Sequence, residues 1–360
     1  GQPLLSAADA EKAARLTIAD EGKTVEVVRQ PDGTWQVASF HQLPADFNKL
    51  TRFVKDLTEA KIERLVTRNP ESIARLQFKD TAITLADAEG TEIWSVHLGK
   101  NAEGGGRFVR FGDEAKAYLS RLATWLDTTP RNWADSSLLA VKPEQVARFE
   151  LSLPEGGSLI GERAKADEPF TAPGLPEGQQ LRKSSVDAML SSLTSLRFSD
   201  TTAPDDADAV AARAHERTVK LTTFDGATVT IALGRKPEQT VVKTAEPKPE
   251  TSGPAAMVGS LTGEVKPEEA GPAKVAETTT ETIPAGPVFA QVTGDPKLAK
   301  LSGAASAVAF KVSDYVFTSL PKSVSELTEP KPAPAPTPAP TADPAPAAEP
   351  TTPPAEAPAP

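Results

Sequence analysis

Three groups of residues in this chain are of types that could do chemistry. The first is the run Gly104, Gly105 and Gly106, set between the apolar stretches "SVHLGKN" and "RFVRF". Backbone N–H groups of a glycine run can cradle a phosphate, but only where a helix N-terminus follows. Here the next residues alternate as a strand, and Gly99 and Lys100 are followed by Asn101 rather than by Ser or Thr. The run therefore reads as a hairpin turn, where glycine supplies positive φ cheaply. The second group is the pair Arg107 and Arg110 beside that turn. They are candidates to bind an acidic partner surface; the plainer reading is a solvated strand face. The third is Trp133, in a connector. Such an aromatic either anchors a partner or, more commonly, pins one unit to the next.

Other chemistries find no pattern. His41, His97 and His215 stand at no metal-ligand spacing, and there is no cysteine. Thiolate chemistry, disulfides and Cys-type zinc sites are excluded. No Gly-x-Ser-x-Gly elbow occurs. Carboxylates are plentiful, but "PDDADAVAA" reads as a polar connector, and a glycosidase-type acid pair converges only in space. We therefore assign no catalytic, cofactor-binding or metal residues and expect no enzyme. The net charge of -10 disfavours nucleic acid, which needs a concentrated basic face.

The elements that must position these residues repeat. "ARLTIADEGKTVEVVRQPDGTWQV" (14–37) resembles "ARFELSLPEGGSLIGERAKADEPF" (147–170), 133 positions on. Each is followed by a helical stripe: Phe47, Leu50, Val54 and Leu57, then Val186, Met189, Leu190, Leu193 and Leu196. Asp46 is the expected N-cap of the first helix, and Ser184 or Ser185 of the second. A hairpin comes next in both, with Gly90 and Gly226 136 positions apart and Gly99 and Gly234 135 apart. The alternation turns Trp94, Val96 and Leu98 to the core and His97 outward with Ile93 and Ser95. Tyr118, Leu122 and Trp125 fall at helical spacing, which predicts a closing helix with Trp125 in the core.

The fold class expected is α+β: two tandem repeats, each an antiparallel sheet with helices packed on one face. The first repeat covers 1–140 and the second 141–322. The match resumes at "FVRFGDEAK" and "FAQVTGDPK", now 182 positions apart, so about 47 extra residues sit at the second copy's hairpin tip. Their Pro, Glu, Thr and Ala content predicts a disordered insertion over 236–286. Thirteen of the 34 prolines crowd a Pro/Ala-rich tail, 323–360, expected as a disordered polyproline-II spacer. Removing 328–360 should then leave the fold intact.

The stretch "ERLVTRNPESIARLQFKDTAITLADAEGTEIWSVHLGKNAEGGGRFVRFGDEAKAYL" closely resembles the DUF4340 family. The resemblance is strongest over about 14–140 and extends, with the insertion, to about 322. It implies a bacterial envelope protein, extracytoplasmic on the periplasmic side, associated with gliding-type ABC transporter components. It also implies an N-terminal membrane helix. No run of about 18 apolar residues occurs here, and the chain starts at Gly1, so that anchor or a signal is expected upstream. The expected function is a noncatalytic accessory or binding protein, with transporter components or another envelope protein as partner. The alternative is an envelope glycan- or peptide-binding module using the groove between repeats; a carboxylate-dependent hydrolase ranks last.

Overall fold

A computed structural model of the protein describes residues 1–244, 278–304, 306–336, 350–355 and 359. The chain opens with α1 (Ala7–Lys12), β1 (Arg15–Asp20), β2 (Lys23–Arg29), β3 (Trp35–Val37), β4 (Leu43–Pro44) and α2 (Phe47–Glu59). It continues through β5 (Ile62–Thr67), α3 (Pro70–Ala74), β6 (Ala82–Ala86), β7 (Glu92–Asn101), β8 (Arg107–Phe111) and β9 (Ala117–Ser120). These strands form one nine-stranded sheet in the order β4-β3-β2-β1-β6-β7-β8-β9-β5.

The second half runs β10 (Val146–Ser152), β11 (Ser158–Glu162), β12 (Gln179–Leu181), α4 (Lys183–Thr194), β13 (Phe198–Thr202), α5 (Ala207–Arg213), β14 (Glu216–Thr223) and β15 (Thr228–Arg235). Then come β16 (Gln239–Thr244), β17 (Thr278–Ile283), β18 (Val288–Gly294), β19 (Ala309–Val312), α6 (Asp314–Thr318) and β20 (Thr328–Pro330). The seven-stranded sheet has the order β11-β10-β14-β15-β18-β19-β13. Every strand pairing in the two large sheets is antiparallel, so the class is α+β.

Strand alternation builds the core. Leu16 and Ile18 of β1, Val96 and Leu98 of β7, and Val109 of β8 point inward and are buried. Helix α2 is capped as expected, with the Asp46 carboxylate accepting from Lys49 N at 3.1 Å. Its buried stripe is Leu50, Phe53 and Leu57. Phe47 is 62% exposed instead, because it lies about 90° around the helix from that stripe. Helix α4 buries Val186, Met189, Leu190 and Leu193. It starts at Lys183 with Arg182 as its cap, not Ser184 or Ser185. A tertiary bond sets that start: Arg182 N donates to Leu327 O at 2.7 Å.

Helices pack on both sheet faces, not one. The outward residues of β8 and β18 explain it: Phe108 joins a cluster with Ile73 and Leu76 at α3, and Phe289 joins one with Ala209 and Ala212 of α5. The stretch "PDDADAVAA" is therefore no mere connector; it caps and forms α5, with Asp206 accepting from Asp208 N and Ala209 N.

The Gly104–106 run is a hairpin tip between β7 and β8, with Gly105 at φ +91° and Gly106 at φ +86°. A Cβ on Gly106 would lie 2.6 Å from Ser120 O. The insertion leaves the corresponding β15–β18 hairpin after the pair Arg235 and Val288. It is not wholly irregular. Strands β16 and β17 pair over six residues each, and every one is exposed. Their Thr and Val content favours extended backbone even without packing. The rest of the expected disordered segment, 245–277, lies outside the described residues.

The tail also begins later than expected. Leu327 is buried, β20 pairs with β12, and Lys331 N donates to Gly178 O at 2.8 Å. Residues 337–349, 356–358 and 360 lie outside the described residues. Truncation after Lys331 should move Tm by no more than about 1 °C. Truncation after Glu326 removes Leu327 and β20 and should cost about 2–4 kcal/mol, on the scale of losing a buried leucine. Thermal and urea unfolding of the two truncations checks this.

The chain crosses between sheets at residues 134–137, a few positions before the expected boundary. Ala134 bridges to Ala45, and Ser137 bridges to Arg197. Phe40 stacks against Phe198 at 6.4 Å, Arg131 pairs with Asp200 at 3.4 Å, and Lys300 pairs with Asp135. Burial alone would raise the Asp135 carboxyl, but the bonds from Lys300 and Ser137 outweigh it and hold it below the usual carboxylate range. A carboxyl depressed by folding stabilises the fold above its unfolded pKa, and that contribution is lost as pH falls through the folded value. Asp135→Asn should therefore lower Tm by about 2–4 °C at pH 7. The difference should close in acid, below the ordinary carboxylate range, as thermal scans at the two pH values would record.

Candidate functional site

The three candidate residues do not converge. Arg107 is half-buried, and its Nε donates to Gly99 O at 2.9 Å. Burial pushes its guanidinium pKa down, opposed by the charge of Asp20. Arg110 lies on the opposite face of β8, with its guanidinium 5.5 Å above the Phe78 ring and its Nε buried. Each arginine serves the packing around its own strand, and neither is the solvated cation expected. Trp133 is 1% exposed, so it offers no surface to a partner. It closes the core beside α2: Phe53 meets it edge-on at 5.3 Å, and its Nε1 donates to Asp127 O at 2.8 Å.

Two of the cavities among the described residues contrast in size and lining. One lies where β18 and β19 splay apart, walled by Phe289, Val308, Phe310 and Leu301, with Arg213 at its mouth. Its volume is about 50 Å3, room for a few water molecules and no organic ligand. The other is a groove of about 460 Å3 between α2 and residues 123–127. Phe53 and Trp133 form its floor; Asp46, Asn48, Lys49, Arg52, Asp56 and Trp125 form its rim.

Electrostatics fix one wall of this groove. Lys49 Nζ sits 4.7 Å above the Trp133 ring, donates to Asp127 at 2.6 Å and to Asn132 O at 3.1 Å. Burial would raise the Asp127 carboxyl, but the bonds from Lys49, Thr129 and Asn132 win and hold it low. On the other wall Trp125 is 86% exposed. That corrects the expected core position. Residues 117–120 form β9, with Tyr118 paired to Val109 and Leu65, so the spacing of Tyr118, Leu122 and Trp125 is not helical. The run of Thr124, Thr128, Thr129 and Pro130 was the available sign against a helix.

Two further arginines serve the backbone. Arg163 donates to the carbonyls of Val146, Ala166 and Pro143, and Arg217 to those of Leu320, Ser152 and Pro321. Among the described residues no three His, Asp or Glu side chains are placed to hold a metal ion. None of the described helices is long and apolar enough to cross a membrane.

No curated protein and no solved structure matches the chain. A family model described as a domain of unknown function (DUF4340) matches residues 35–217. The match begins at β3, takes in α2 and the groove, and crosses the junction into β14. It covers more than half of the 360 residues, and the chain belongs to the DUF4340 family.

Proposed function

We propose that the chain is a noncatalytic binding protein made of two tandem copies of one α+β unit. In this reading it works outside the cytoplasm, held by a membrane segment upstream, as an accessory to an ABC transporter system. The duplication is supported by strand order. Within the first sheet, β2-β1-β6-β7-β8-β9-β5 runs in the same sequence of connections as β11-β10-β14-β15-β18-β19-β13. Two further details agree. Gly99 packs under Leu76 O and Gly234 under Ala212 O, the glycines 135 positions apart and the carbonyls 136. Leu4 N donates to Ala60 O at 2.8 Å, and Leu138 N to Leu196 O at 3.0 Å, so the segment entering each unit hooks the helix end alike.

The observation that carries the binding role is Trp125. Leaving an indole 86% exposed forfeits about 2–3 kcal/mol of burial, so its place beside an open groove is best explained by a ligand or partner. The transporter association and the location rest on the family resemblance. Affinity capture from membranes tests them, using the full-length protein with its upstream segment. Transporter subunits identified by mass spectrometry, recovered with the wild type and lost with Trp125→Ala, are the expected result. Their absence from the wild-type capture would contradict the reading.

A further inference from the structure

We propose that the groove between α2 and residues 123–127 binds a pyranose unit of a glycan, with Trp125 as its stacking platform. This rests on the binding role argued above and names the ligand class.

The indole is held out, not left loose. Its neighbours Leu122 and Leu126 are both buried in the core, which anchors the extended chain on either side of it. The polar rim then divides into occupied and free groups. Lys49 is engaged by Asp127 and by the Trp133 face, and Asp46 is engaged in capping α2. Arg52 makes no ion pair among the described residues, Asn48 is exposed, and Asp56 accepts only a long 3.5 Å bond from Thr124. Three groups of different kinds, a cationic donor, an amide and a carboxylate acceptor, therefore line the same groove as Trp125.

A pyranose ring matches that set. Its C–H face is apolar and slightly positive and lies well on an indole π-face. Its hydroxyls can donate to Asp56 and accept from Arg52 and Asn48. A peptide partner fits less well. Binding hot spots need an apolar anchor seated in a pocket, and here Phe53 and Trp133 close the floor. A second copy fits less well again, since each chain carries a net charge of -10.

The test is fluorescence quenching by acrylamide with chitotetraose and cellotetraose as probes. Of the four tryptophans, Trp125 is the one that stands exposed, so quenching of the wild type reports mainly on it. Millimolar oligosaccharide should protect it, with Kd between about 0.1 and several mM. Trp125→Ala should weaken binding, followed by calorimetry, at least about tenfold, and Arg52→Gln about three- to tenfold, with both Tm values unchanged. Lack of protection at millimolar sugar would overturn the proposal, as would undiminished binding by Trp125→Ala. If sugar fails while Trp125→Ala still abolishes capture of transporter subunits, the glycan falls and the accessory role stands. If sugar binds and capture finds no subunits, the reverse holds.

Discussion

Trp133→Ala is expected to destabilise the protein by about 3–5 kcal/mol, the range for deleting a large buried aromatic. The ring is 1% exposed and its edge contact with Phe53 is nearly perpendicular, at 86°. Three groups lose a partner together. Asp127 O loses its N–H donor, Lys49 loses the face beneath its ammonium, and Phe53 faces a cavity. Trp133→Phe keeps most of the volume and should cost about 1–2 kcal/mol, mainly the lost hydrogen bond. Urea unfolding separates the two. A loss under about 1 kcal/mol for the alanine variant would mean that Trp133 is not the keystone of this corner. Trp125, eight positions earlier, should show the opposite behaviour: negligible effect on stability and full effect on ligand.

The second large effect is expected at Gly234. An alanine there would place its Cβ against Ala212 O, closer than any real contact, and 2.9 Å from both the Ala212 carbonyl carbon and Glu216 Cγ. Ala212 is 1% exposed and packed on the sheet through α5, so backbone must move. The cost should reach about 3 kcal/mol, the upper end for overpacking. Gly99→Ala meets Leu76 O at 2.5 Å and should cost a similar amount. Gly303→Ala meets nothing within 4 Å and has no positive φ, so it should be neutral. Equal losses at Gly99 and Gly234, read as Tm shifts, would show two helices seated on two sheets in the same way.

What could be read from the residues follows physical reach. Strands with clean alternation, such as 148–152, and the stripe of α4 announce themselves because burial repeats with the period of the element. The cap at Asp46 is equally local. Helices α3 and α5 have five and seven residues, too few for a period to show, although Asn69 before Pro70 and Asp206 were cap signals. Trp125 misled because spacings of four and three occur in strands and irregular chain as well. Leu327 and β20 were hidden for another reason. They are held by pairing with Gln179–Leu181, about 150 positions away in sequence, and a Pro/Ala-rich stretch follows them. The candidate site suffered most. Its walls come from α2 and from a stretch more than 60 residues later, and its floor is a tryptophan whose burial no local pattern states.

The proposed duplication depends most on the two hairpins, β7–β8 and β15–β18, being one hairpin used twice. Replacing residues 236–287 by the six-residue tip 101–106 tests this directly, because Arg235 and Val288 are the last pair before the excursion. A folded protein with Tm within about 2 °C of the wild type is expected, since β16 and β17 are exposed along their whole length. A chain that fails to fold, or one that melts more than about 10 °C lower, would contradict it.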